Sequence, residues 1–342
     1  MIVRARAPLR LGFGGGGSDL SPFCDKYGGY VLNATITLFV YAVIELHDQG
    51  PVRFVAADRQ ESIEFEPTCD IPLDGILSLH KAVYCRIMRD FNGGRAIPLT
   101  LTTYSDVAAG SGLGSSSTLV VAMVEAFKEL LTLPLGEYDV AQLAYKIERI
   151  DVGMVGGRQD QYAATFGGFN FMEFNGDDRI IVNPLRIHRN TVNELEASLV
   201  ICNTGVARDS DAIIQEQASN VRRGDERSME ATHRLKQEAV SMKEALLKGN
   251  IRCFAAVLEQ GWLSKKLTAG GVSNSNLERI YQIAIEGGAY SGKVSGAGGG
   301  GFMMFVVDPL RRPDVLRLLR CQQVQPLTVQ FTDQGAIAWR LR

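Results

Sequence analysis

The apolar positions form their clearest pattern around residue 110, where a strand pattern passes into a helix pattern. Residues 99–104 (LTLTTY) alternate and are rich in β-branched side chains, which predicts a β-strand. From residue 119 onward, apolar side chains recur at the i, i+3, i+4, i+7 spacing of a helix with one buried face. This stripe comprises Leu119, Val120, Met123, Val124, Phe127, Leu130 and Leu131. Between the two elements lies a loop dense in glycine and serine, residues 110–117 (GSGLGSSS), at the first turn of the predicted helix.

Elsewhere in the first half, alternating and periodic segments predict strands and helices in mixed order. The predicted strands are 2–13 as one or two strands broken near Pro8, 30–46 as a bent strand or strand pair, and two hairpins, 52–56 with 62–66 and 169–174 with 179–182. One helix is predicted over 80–90. A second is capped by Asp139, and its apolar stripe is Val140, Leu143, Ala144, Ile147 and Ile150.

The second half has a more polar, helical texture. The predicted elements are a strand over 198–202, a long helical region over 209–248 interrupted at Gly224, helices over 251–267 and 277–286, a glycine loop over 291–301 leading into a strand over 302–307, a helix opened by Pro313, and strands over 327–331 and 336–341. Hairpins mixed with helices, without strict β–α–β alternation, predict an α+β fold. The length of 342 residues and the change of texture near 183–197 predict two domains, 1–185 with the nucleotide loop and 186–342.

Composition and charge narrow the class of protein. The net charge of −2 gives no reason to expect nucleic acid or an acidic membrane as a partner. We see neither a signal peptide nor an apolar stretch long enough to span a bilayer. The six cysteines are scattered without a Cys-x-x-Cys pair, which predicts reduced thiols and a cytoplasmic protein. The four histidines lack metal-ligand spacing, so a structural zinc site is not expected.

The loop at 110–117 has the features of a phosphate cradle. The first N–H groups of a helix have no internal partner, and the helix dipole places partial positive charge there. Glycines allow the backbone to approach a phosphate chain closely. The alternative is an ordinary glycine–serine loop in which a serine caps the helix. Two Gly-x-Gly-x-x-Gly patterns are rejected as dinucleotide sites, the one at 12–17 because Pro22 interrupts any long helix after it and the one at 296–301 because it leads into a strand. A near P-loop at 287–293 is rejected because Val294 replaces the magnesium-binding Ser or Thr and because a helix precedes it.

Three glycine loops together resemble a known family. Residues 7–19 (APLRLGFGGGGSD), 110–117 and 293–301 (KVSGAGGGG) resemble the three motifs of the kinase superfamily that contains galactokinase, homoserine kinase, mevalonate kinase and phosphomevalonate kinase, the GHMP kinases. The order and wide spacing of the motifs match as well. The resemblance implies an N-terminal domain like the second domain of ribosomal protein S5, a ferredoxin-like C-terminal domain, and an active site between them.

Within this superfamily the first motif and residues 28–36 (GGYVLNATI) most resemble sugar-1-kinases that act on D-glycero-D-manno-heptose 7-phosphate, with fucokinase domains more distant. Residues 106–109 (DVAA) lack the proline often found before the second motif, and Arg10 replaces the lysine of the mevalonate-type branch. The implied activity is ATP-dependent phosphorylation of the anomeric hydroxyl to give the 1,7-bisphosphate, for nucleotide-activated heptose and surface polysaccharide. The alternatives are a kinase for another sugar, such as L-fucose or galactose, and a non-catalytic sugar sensor.

The resemblance also implies how ATP and Mg²⁺ are held. The nucleotide loop would be formed by Gly110, Ser111, Gly112, Leu113, Gly114, Ser115, Ser116 and Ser117. Mg²⁺ would be bound by Ser116 and Glu148, because this hard ion favours one or two protein oxygens together with phosphates and water. From the sequence alone, the better interpretation of Glu148 is a helix-surface carboxylate paired with Arg149 or Lys146, and only the resemblance favours a metal ligand.

For the acceptor side, the resemblance implies that Asp160 orients the sugar hydroxyl and accepts its proton. Arg10 is expected either to neutralise charge near the transferred phosphoryl group or to hold Asp160 in its ionised form. Without the motif, Asp160 and Asp19 are turn or capping residues and Arg10 is a strand-surface residue. The sugar contacts are expected from Gly17, Ser18, Asp19, Arg158, Asp160, Gly298 and Gly299, with Arg158, Lys26, Arg208 and Lys293 as candidates for the 7-phosphate. The expected partners are ATP and a sugar phosphate, and a homo-oligomer is left open.

Overall fold

A computed structural model describes residues 1–205 and 210–341 of the chain, so Arg208 lies outside the described residues. Its strands are β1 (Ile2–Gly14), β2 (Gly29–Leu46), β3 (Val52–Ala56), β4 (Glu61–Phe65), β5 (Leu99–Ser105), β6 (Phe169–Phe174), β7 (Ile180–Pro184), β8 (Leu199–Asn203), β9 (Ala289–Val294), β10 (Phe302–Val307), β11 (Gln325–Leu327) and β12 (Ile337–Leu341). Its α-helices are α1 (Phe23–Tyr27), α2 (Ser78–Phe91), α3 (Ser115–Leu131), α4 (Glu137–Tyr145), α5 (Gln159–Phe166), α6 (Arg189–Ser198), α7 (Ser210–Arg222), α8 (Glu226–Leu247), α9 (Ile251–Lys266), α10 (Ser275–Gly287) and α11 (Arg312–Cys321).

The first sheet is built around the long strand β2. Its order is β12-β1-β2-β5-β3-β4, and the hairpin of β6 and β7 joins the other end of β2. β2 pairs with β6 over 29–34 and with β5 over 40–46, so one continuous strand serves two partners on the same side. The buried faces of α2 and α3 pack on this sheet to form one apolar core. The predicted elements of the first half therefore form with small shifts at their ends.

The second sheet is antiparallel, with the order β11-β8-β10-β9. Every residue of β10 is buried, because the sheet is covered on both faces. A shared core joins the two sheets: Phe13 of β1 packs against Phe254 of α9 with ring centroids 5.3 Å apart, and Met304 of β10 lies in the same cluster. This core holds β1, with Arg10 on it, against the second half of the chain.

The ends of the second half differ from the prediction. β12 pairs antiparallel with β1 at the edge of the first sheet. The predicted domains, 1–185 and 186–342, instead assign β12 to the second half of the chain. The strand predicted at 327–331 is wrong beyond Leu327, because the backbone of residues 330–332 bonds instead to Thr35 and Thr37 of β2. Residues 291–294, predicted as part of a glycine loop, form the end of β9.

The helix predicted at 139–150 begins and ends differently from the prediction. α4 starts at Glu137, and Asp139 lies in its first turn, where its Oδ2 accepts a hydrogen bond from the N–H of Gly136 at 2.8 Å. α4 then continues as a π-helical turn, Lys146–Asp151. The wider turn shifts the side chains around the axis, so Ile147 and Glu148 are buried and Ile150 is 67% exposed. The predicted apolar stripe is therefore wrong at Ile150.

Among the helices that the structure describes, none is both long and apolar enough to cross a lipid bilayer.

Candidate active site

The glycine–serine loop before α3 forms one wall of a cavity of about 560 Å³. Gly110, Gly112 and Gly114 have positive φ angles of 75°, 81° and 81°, which only glycine adopts without strain. α3 begins directly after Gly114 with no side-chain cap on its N–H groups and no acidic residue in its first turn. The cavity thus meets an uncapped helix N-terminus, an arrangement suited to an anion.

The structure divides the predicted nucleotide loop into two groups. Gly110, Gly112, Gly114, Ser115 and Ser116 line the large cavity. The other three residues are used inside the protein. The carbonyl of Ser111 accepts from the N–H of Phe302 at 2.9 Å, Leu113 is fully buried with its carbonyl accepting from the N–H of Arg10 at 3.1 Å, and the Ser117 hydroxyl donates to Glu148.

Arg10 and Asp160, the two predicted catalytic residues, are brought together in a bidentate ion pair. Nε of Arg10 donates to Oδ1 of Asp160 at 2.8 Å and Nη2 donates to Oδ2 at 2.9 Å. Nη1 of Arg10 donates to the carbonyl of Gly112 at 2.7 Å. The Arg10 side chain is only 5% exposed and that of Asp160 is 19% exposed. A buried cation therefore ties the carboxylate to the nucleotide loop.

A second, smaller cavity of about 70 Å³ also has this pair in its wall. Gly17, Asp19, Gln159 and Lys265 line it. The residues common to both cavities are Arg10, Asp160, Ile214, Gly296 and Ala297. The ion pair is therefore part of the boundary between a large compartment at a helix N-terminus and a small compartment beside the first glycine loop.

Asp19 is placed at the small cavity but its oxygens are already used. Its Oδ1 accepts from the N–H of Gly17 at 3.0 Å, and its Oδ2 accepts from the N–H groups of Arg158 at 3.0 Å and Gln159 at 3.3 Å. The residue is 1% exposed. Because Gln159 begins α5, Asp19 binds the N-terminus of the helix that carries Asp160. The predicted contact of Asp19 with sugar hydroxyls stays a prediction.

Glu148 lies on the π-helical turn and is fully buried beside α3. Its Oε2 accepts from the Ser117 hydroxyl and from Nε2 of Gln161, both at 2.7 Å. Its Oε1 lies 3.4 Å from Nη1 of Arg149 and has no hydrogen-bond partner among the described residues. Ser117, rather than the predicted Ser116, is the hydroxyl that touches Glu148, while Ser116 lines the cavity.

The oxygen atoms around Glu148 can be compared with the ligands that Mg²⁺ requires. No group of three or more His, Cys, Asp or Glu side chains gathers within residues 1–205 and 210–341. Mg²⁺ does not need one, because it typically takes one or two carboxylates and completes its shell with substrate phosphates and water. The unpaired Oε1 of Glu148, with the Ser117 hydroxyl held on Oε2 of the same carboxylate, fits that requirement, so the residues present fit the ion.

Several predicted sugar contacts are placed away from both cavities. The Ser18 hydroxyl is fully buried and donates to the carbonyl of Gly15 at 2.7 Å. Arg158 forms ion pairs with Asp178 at 2.8 Å and Asp25 at 3.2 Å. The backbone at Gly298 and Gly299 packs on Val272, to whose carbonyl the N–H of Gly299 donates at 2.7 Å. In place of these two glycines, Gly296 and Ala297 of the same loop reach the cavities.

Two candidate lysines for the 7-phosphate also lie elsewhere. Lys26 is exposed, with its Nζ 5.1 Å from the ring centroid of Tyr27. Lys293 is buried and its Nζ donates to the carbonyls of Gly12 at 3.0 Å and Phe13 at 3.1 Å. Burial, with the charges of Lys265 and Arg10 close by, lowers the pKa of Lys293 to about 7. Lys293 therefore holds the first glycine loop and does not face the small cavity.

Three further residues lie at the site although no sequence motif predicts them there: Lys265, Gln161 and Arg149. Lys265 is 5% exposed and occupies a position on the buried face of α9, one turn after Trp262, where the pattern favours an apolar side chain. A lysine at an apolar position of a helix is therefore the sequence feature that indicates a site residue here. Gln161 follows Asp160 in sequence and is fully buried. Nothing in the pattern distinguished Arg149 from a surface partner of Glu148.

The large cavity extends from the nucleotide loop to a far end beside α2 and β5. His80 lies in this wall, where its Nε2 bonds the Thr103 hydroxyl at 2.8 Å. Burial lowers the pKa of His80 to about 4, so the ring is neutral at neutral pH. Asp58 and Arg59 line the cavity as well, and Arg59 pairs with Glu61 at 2.8 Å. The loop end is lined by the uncapped N-terminus of α3 and by Arg10 and Arg149.

Comparison with known proteins identifies relatives along the whole chain. Residues 78–168 match the GHMP kinases N terminal domain, and residues 242–322 match the GHMP kinases C terminal domain. The chain is 49% identical over 339 residues to the D-glycero-alpha-D-manno-heptose 7-phosphate kinase of Campylobacter jejuni, covering 99% of each.

Solved structures show the same relationship. The D-glycero-D-manno-heptose 1-phosphate kinase of Bacteroides thetaiotaomicron superposes with a TM-score of 0.85 at 44% identity, covering 99% of each chain. The galactokinase of Lactococcus lactis, complexed with galactose, superposes with a TM-score of 0.77 at 19% identity, covering 98% of this chain and 94% of that one. At this identity the galactokinase shows the shared fold alone.

Proposed function

The chain belongs to the GHMP kinase family, and on that premise we propose that it transfers the γ-phosphoryl group of ATP to the anomeric hydroxyl of D-glycero-D-manno-heptose 7-phosphate. The product would be the 1,7-bisphosphate. The observation that carries the proposal is the Arg10–Asp160 pair on the boundary shared by the two cavities. A donor in the large cavity and an acceptor in the small one would meet at this carboxylate.

The large cavity fits the donor. Its volume of about 560 Å³ lies in the range typical of small-molecule sites, and its loop end offers the N–H groups of α3. The polyphosphate would lie against Gly110, Gly112, Gly114 and Ser115, with the nucleoside toward α2 and β5. GHMP kinases use ATP, and the cradle is suited to its phosphates.

Asp160 would orient the anomeric hydroxyl and accept its proton as the new oxygen–phosphorus bond forms and the bond to the ADP oxygen breaks. Arg10 holds both carboxylate oxygens, so the orientation of Asp160 is set before substrate binds. Because the transition state of phosphoryl transfer is loose, this positioning accounts for much of the rate.

Mg²⁺ would be held by Glu148 and Ser116 and, when bound, would neutralise charge on the β- and γ-phosphates. The residues of the chain prepare this site. Gln161 and Ser117 both donate to Oε2 of Glu148, which fixes the carboxylate and leaves Oε1 for a cation. The π-helical turn places Glu148 toward α3 and away from solvent.

For the acceptor, we propose that Lys265 contacts the 7-phosphate. It is the lysine that lines the small cavity, where its Nζ donates to the carbonyl of Gly16 at 2.9 Å. Asp160 lines the same cavity, so the anomeric hydroxyl and the 7-phosphate would both be held there once the cavity widens to admit the sugar, since about 70 Å³ is smaller than a typical ligand site. The curated relative is named for this heptose phosphate and for its α anomer, which supports the choice of substrate and of anomer.

A panel of acceptors tests the proposal. Release of ADP would be measured with D-glycero-D-manno-heptose 7-phosphate, the unphosphorylated heptose, L-fucose and galactose at equal concentrations. We expect the highest kcat/KM with the heptose 7-phosphate. A higher value with an unphosphorylated sugar would make the chain a kinase for that sugar, and sugar binding without ADP release from any acceptor would make it a sensor.

A further inference from the structure

Arg149 is the member of the Glu148–Arg149 pair that reaches the large cavity. Arg149 lines this cavity together with Ser115 and Ser116, whereas Glu148 is fully buried and does not. The guanidinium lies against Glu148, with Nη1 3.4 Å from Oε1. A cation that enters from the cavity to bind Glu148 therefore meets Arg149 first.

The contacts of this pair are incomplete. Oε1 of Glu148 and Nε of Arg149 are both buried, and neither has a hydrogen-bond partner among the described residues. Buried polar atoms are nearly always paired, and leaving one unpaired costs free energy. Two such atoms on one ion pair at the wall of a ligand cavity indicate that the arrangement is completed by something that binds there.

The remaining contacts of Arg149 are neutral and weak enough to exchange. Its Nη1 donates to the carbonyl of Val155 at 3.2 Å, and Nη2 donates to the Ser117 hydroxyl at 3.4 Å. The guanidinium also packs on Gly156, where a Cβ would overlap it. A polyphosphate at the N-terminus of α3 would offer it charged oxygens, which form stronger hydrogen bonds than carbonyl or hydroxyl oxygens do.

We propose that the Arg149 guanidinium occupies the cation position beside Glu148 in the nucleotide-free protein and moves onto the polyphosphate when a metal–nucleotide complex binds. This inference rests on the proposed kinase function. It makes metal binding depend on nucleotide. Without a polyphosphate, a divalent ion at Glu148 would lie beside a guanidinium that has no other anion to contact, and like charges at close range repel.

The test uses Mn²⁺ as a spectroscopic substitute for Mg²⁺ and measures binding without turnover. Free Mn²⁺ would be followed by electron paramagnetic resonance during titration of nucleotide-free protein. We expect weak binding by the unmodified chain and at least tenfold tighter binding by Arg149→Gln. Arg149→Lys keeps the positive charge and is expected to exclude the ion as the unmodified chain does.

The second measurement is the affinity for ADP by calorimetry in the presence of a chelator. We expect Arg149→Gln to bind metal-free ADP about tenfold more weakly, because it loses a charged contact with the phosphates. Arg86→Gln is the matched control: Arg86 pairs with Asp151 of the same π-helical turn but does not line the cavity. It should change neither affinity.

The outcomes separate this inference from the proposed function. Unchanged Mn²⁺ and ADP affinities in a folded Arg149→Gln variant would overturn the role of Arg149 while leaving the kinase proposal intact. If Arg149→Gln does not fold, tighter Mn²⁺ binding by Arg149→Lys than by the unmodified chain would overturn it instead. Failure of the unmodified chain to bind ADP with or without metal would overturn the kinase proposal itself.

Discussion

The guanidinium of Arg10 and the carboxylate of Asp160 meet in two parallel hydrogen bonds of 2.8 and 2.9 Å, although the residues are 150 positions apart in the chain. Arg10 comes from β1 and Asp160 from the first turn of α5. The planar fork of arginine matches a carboxylate in this geometry, which a lysine could not reproduce. Since Arg10 also bonds the carbonyl of Gly112, one side chain connects the acceptor carboxylate to the donor loop.

The first prediction concerns the carboxylate itself. Asp160→Asn should lower kcat by about 10²- to 10⁴-fold, the usual contribution of a general base and of its positioning. The affinity for ADP, measured by calorimetry, should stay within about twofold, because Asp160 does not belong to the helix N-terminus that binds phosphate. The control is Asp178→Asn, which removes an exposed carboxylate paired with Arg158. Normal turnover by Asp160→Asn would remove Asp160 from the mechanism.

The second prediction separates positioning from sugar contact at Asp19. Asp19→Asn replaces an oxygen that accepts from backbone N–H groups with an NH₂ group, so a folded-state penalty of about 1–3 kcal/mol is expected. Thermal unfolding should therefore occur at a lower temperature, and kcat should fall because α5 carries Asp160. If Asp19 serves only as a sugar contact, KM for the sugar rises while the unfolding temperature is unchanged.

The third prediction concerns Lys265 and the phosphate of the acceptor. Lys265→Met should raise KM for heptose 7-phosphate by about tenfold or more, the effect expected for one charged hydrogen bond. KM for the unphosphorylated heptose should change much less. Lys266→Met is the control, because its side chain pairs with Glu278 outside the small cavity. An equal rise in KM for both sugars would place the phosphate elsewhere.

The fourth prediction is a dependence of stability on pH. Burial lowers the pKa of Lys293 from 10.5 to about 7 in the folded protein. Between these values the unfolded chain binds more protons, so the contribution of Lys293 to stability increases as pH rises from 7 toward 10 and is flat below 7. The slope is at most about 1.4 kcal/mol per pH unit. Urea unfolding at pH 7, 8 and 9 should show this slope in the unmodified chain and lose it in Lys293→Met.

An identical change of unfolding free energy with pH in both proteins would contradict that assignment. Other groups titrate over the same range, so the comparison rests on the difference between the two proteins and not on either slope alone. Lys236→Met is a second comparison. Burial also lowers the pKa of Lys236, but its side chain is only partly buried, so this variant should keep most of the change of unfolding free energy with pH.

Local sequence patterns predict most of the strands and helices. The alternation at 99–104 and the stripe beginning at Leu119 correspond to β5 and α3, and the hairpin predicted at 52–66 is present as β3 and β4. These elements depend on contacts with one neighbouring layer, so periodicity alone reveals them. The π-helical turn at 146–151 could not be predicted in this way, because it departs from the period on which the prediction depends.

The features that the sequence does not predict are those that depend on contacts between distant parts of the chain. β12 has the pattern of any short strand, and only the tertiary structure places it beside β1. In the candidate site, the resemblance of the motifs predicts Arg10, Asp160 and Glu148. The structure places these residues around the large cavity or next to it. Resemblance could not show that Ser117 bonds Glu148 or that Asp19 binds backbone amides, because both depend on side-chain directions set by packing.

The central claim is that a nucleotide and a sugar phosphate meet across Asp160. A crystal structure of Asp160→Asn with Mg²⁺, a non-hydrolysable ATP analogue and heptose 7-phosphate tests it most directly. We expect the polyphosphate to lie against Gly112, Gly114 and Ser115, and the anomeric oxygen to lie about 3–3.5 Å from the γ-phosphorus, beside residue 160. Nucleotide bound away from the N-terminus of α3, or a sugar whose anomeric oxygen lies far from residue 160, would contradict it.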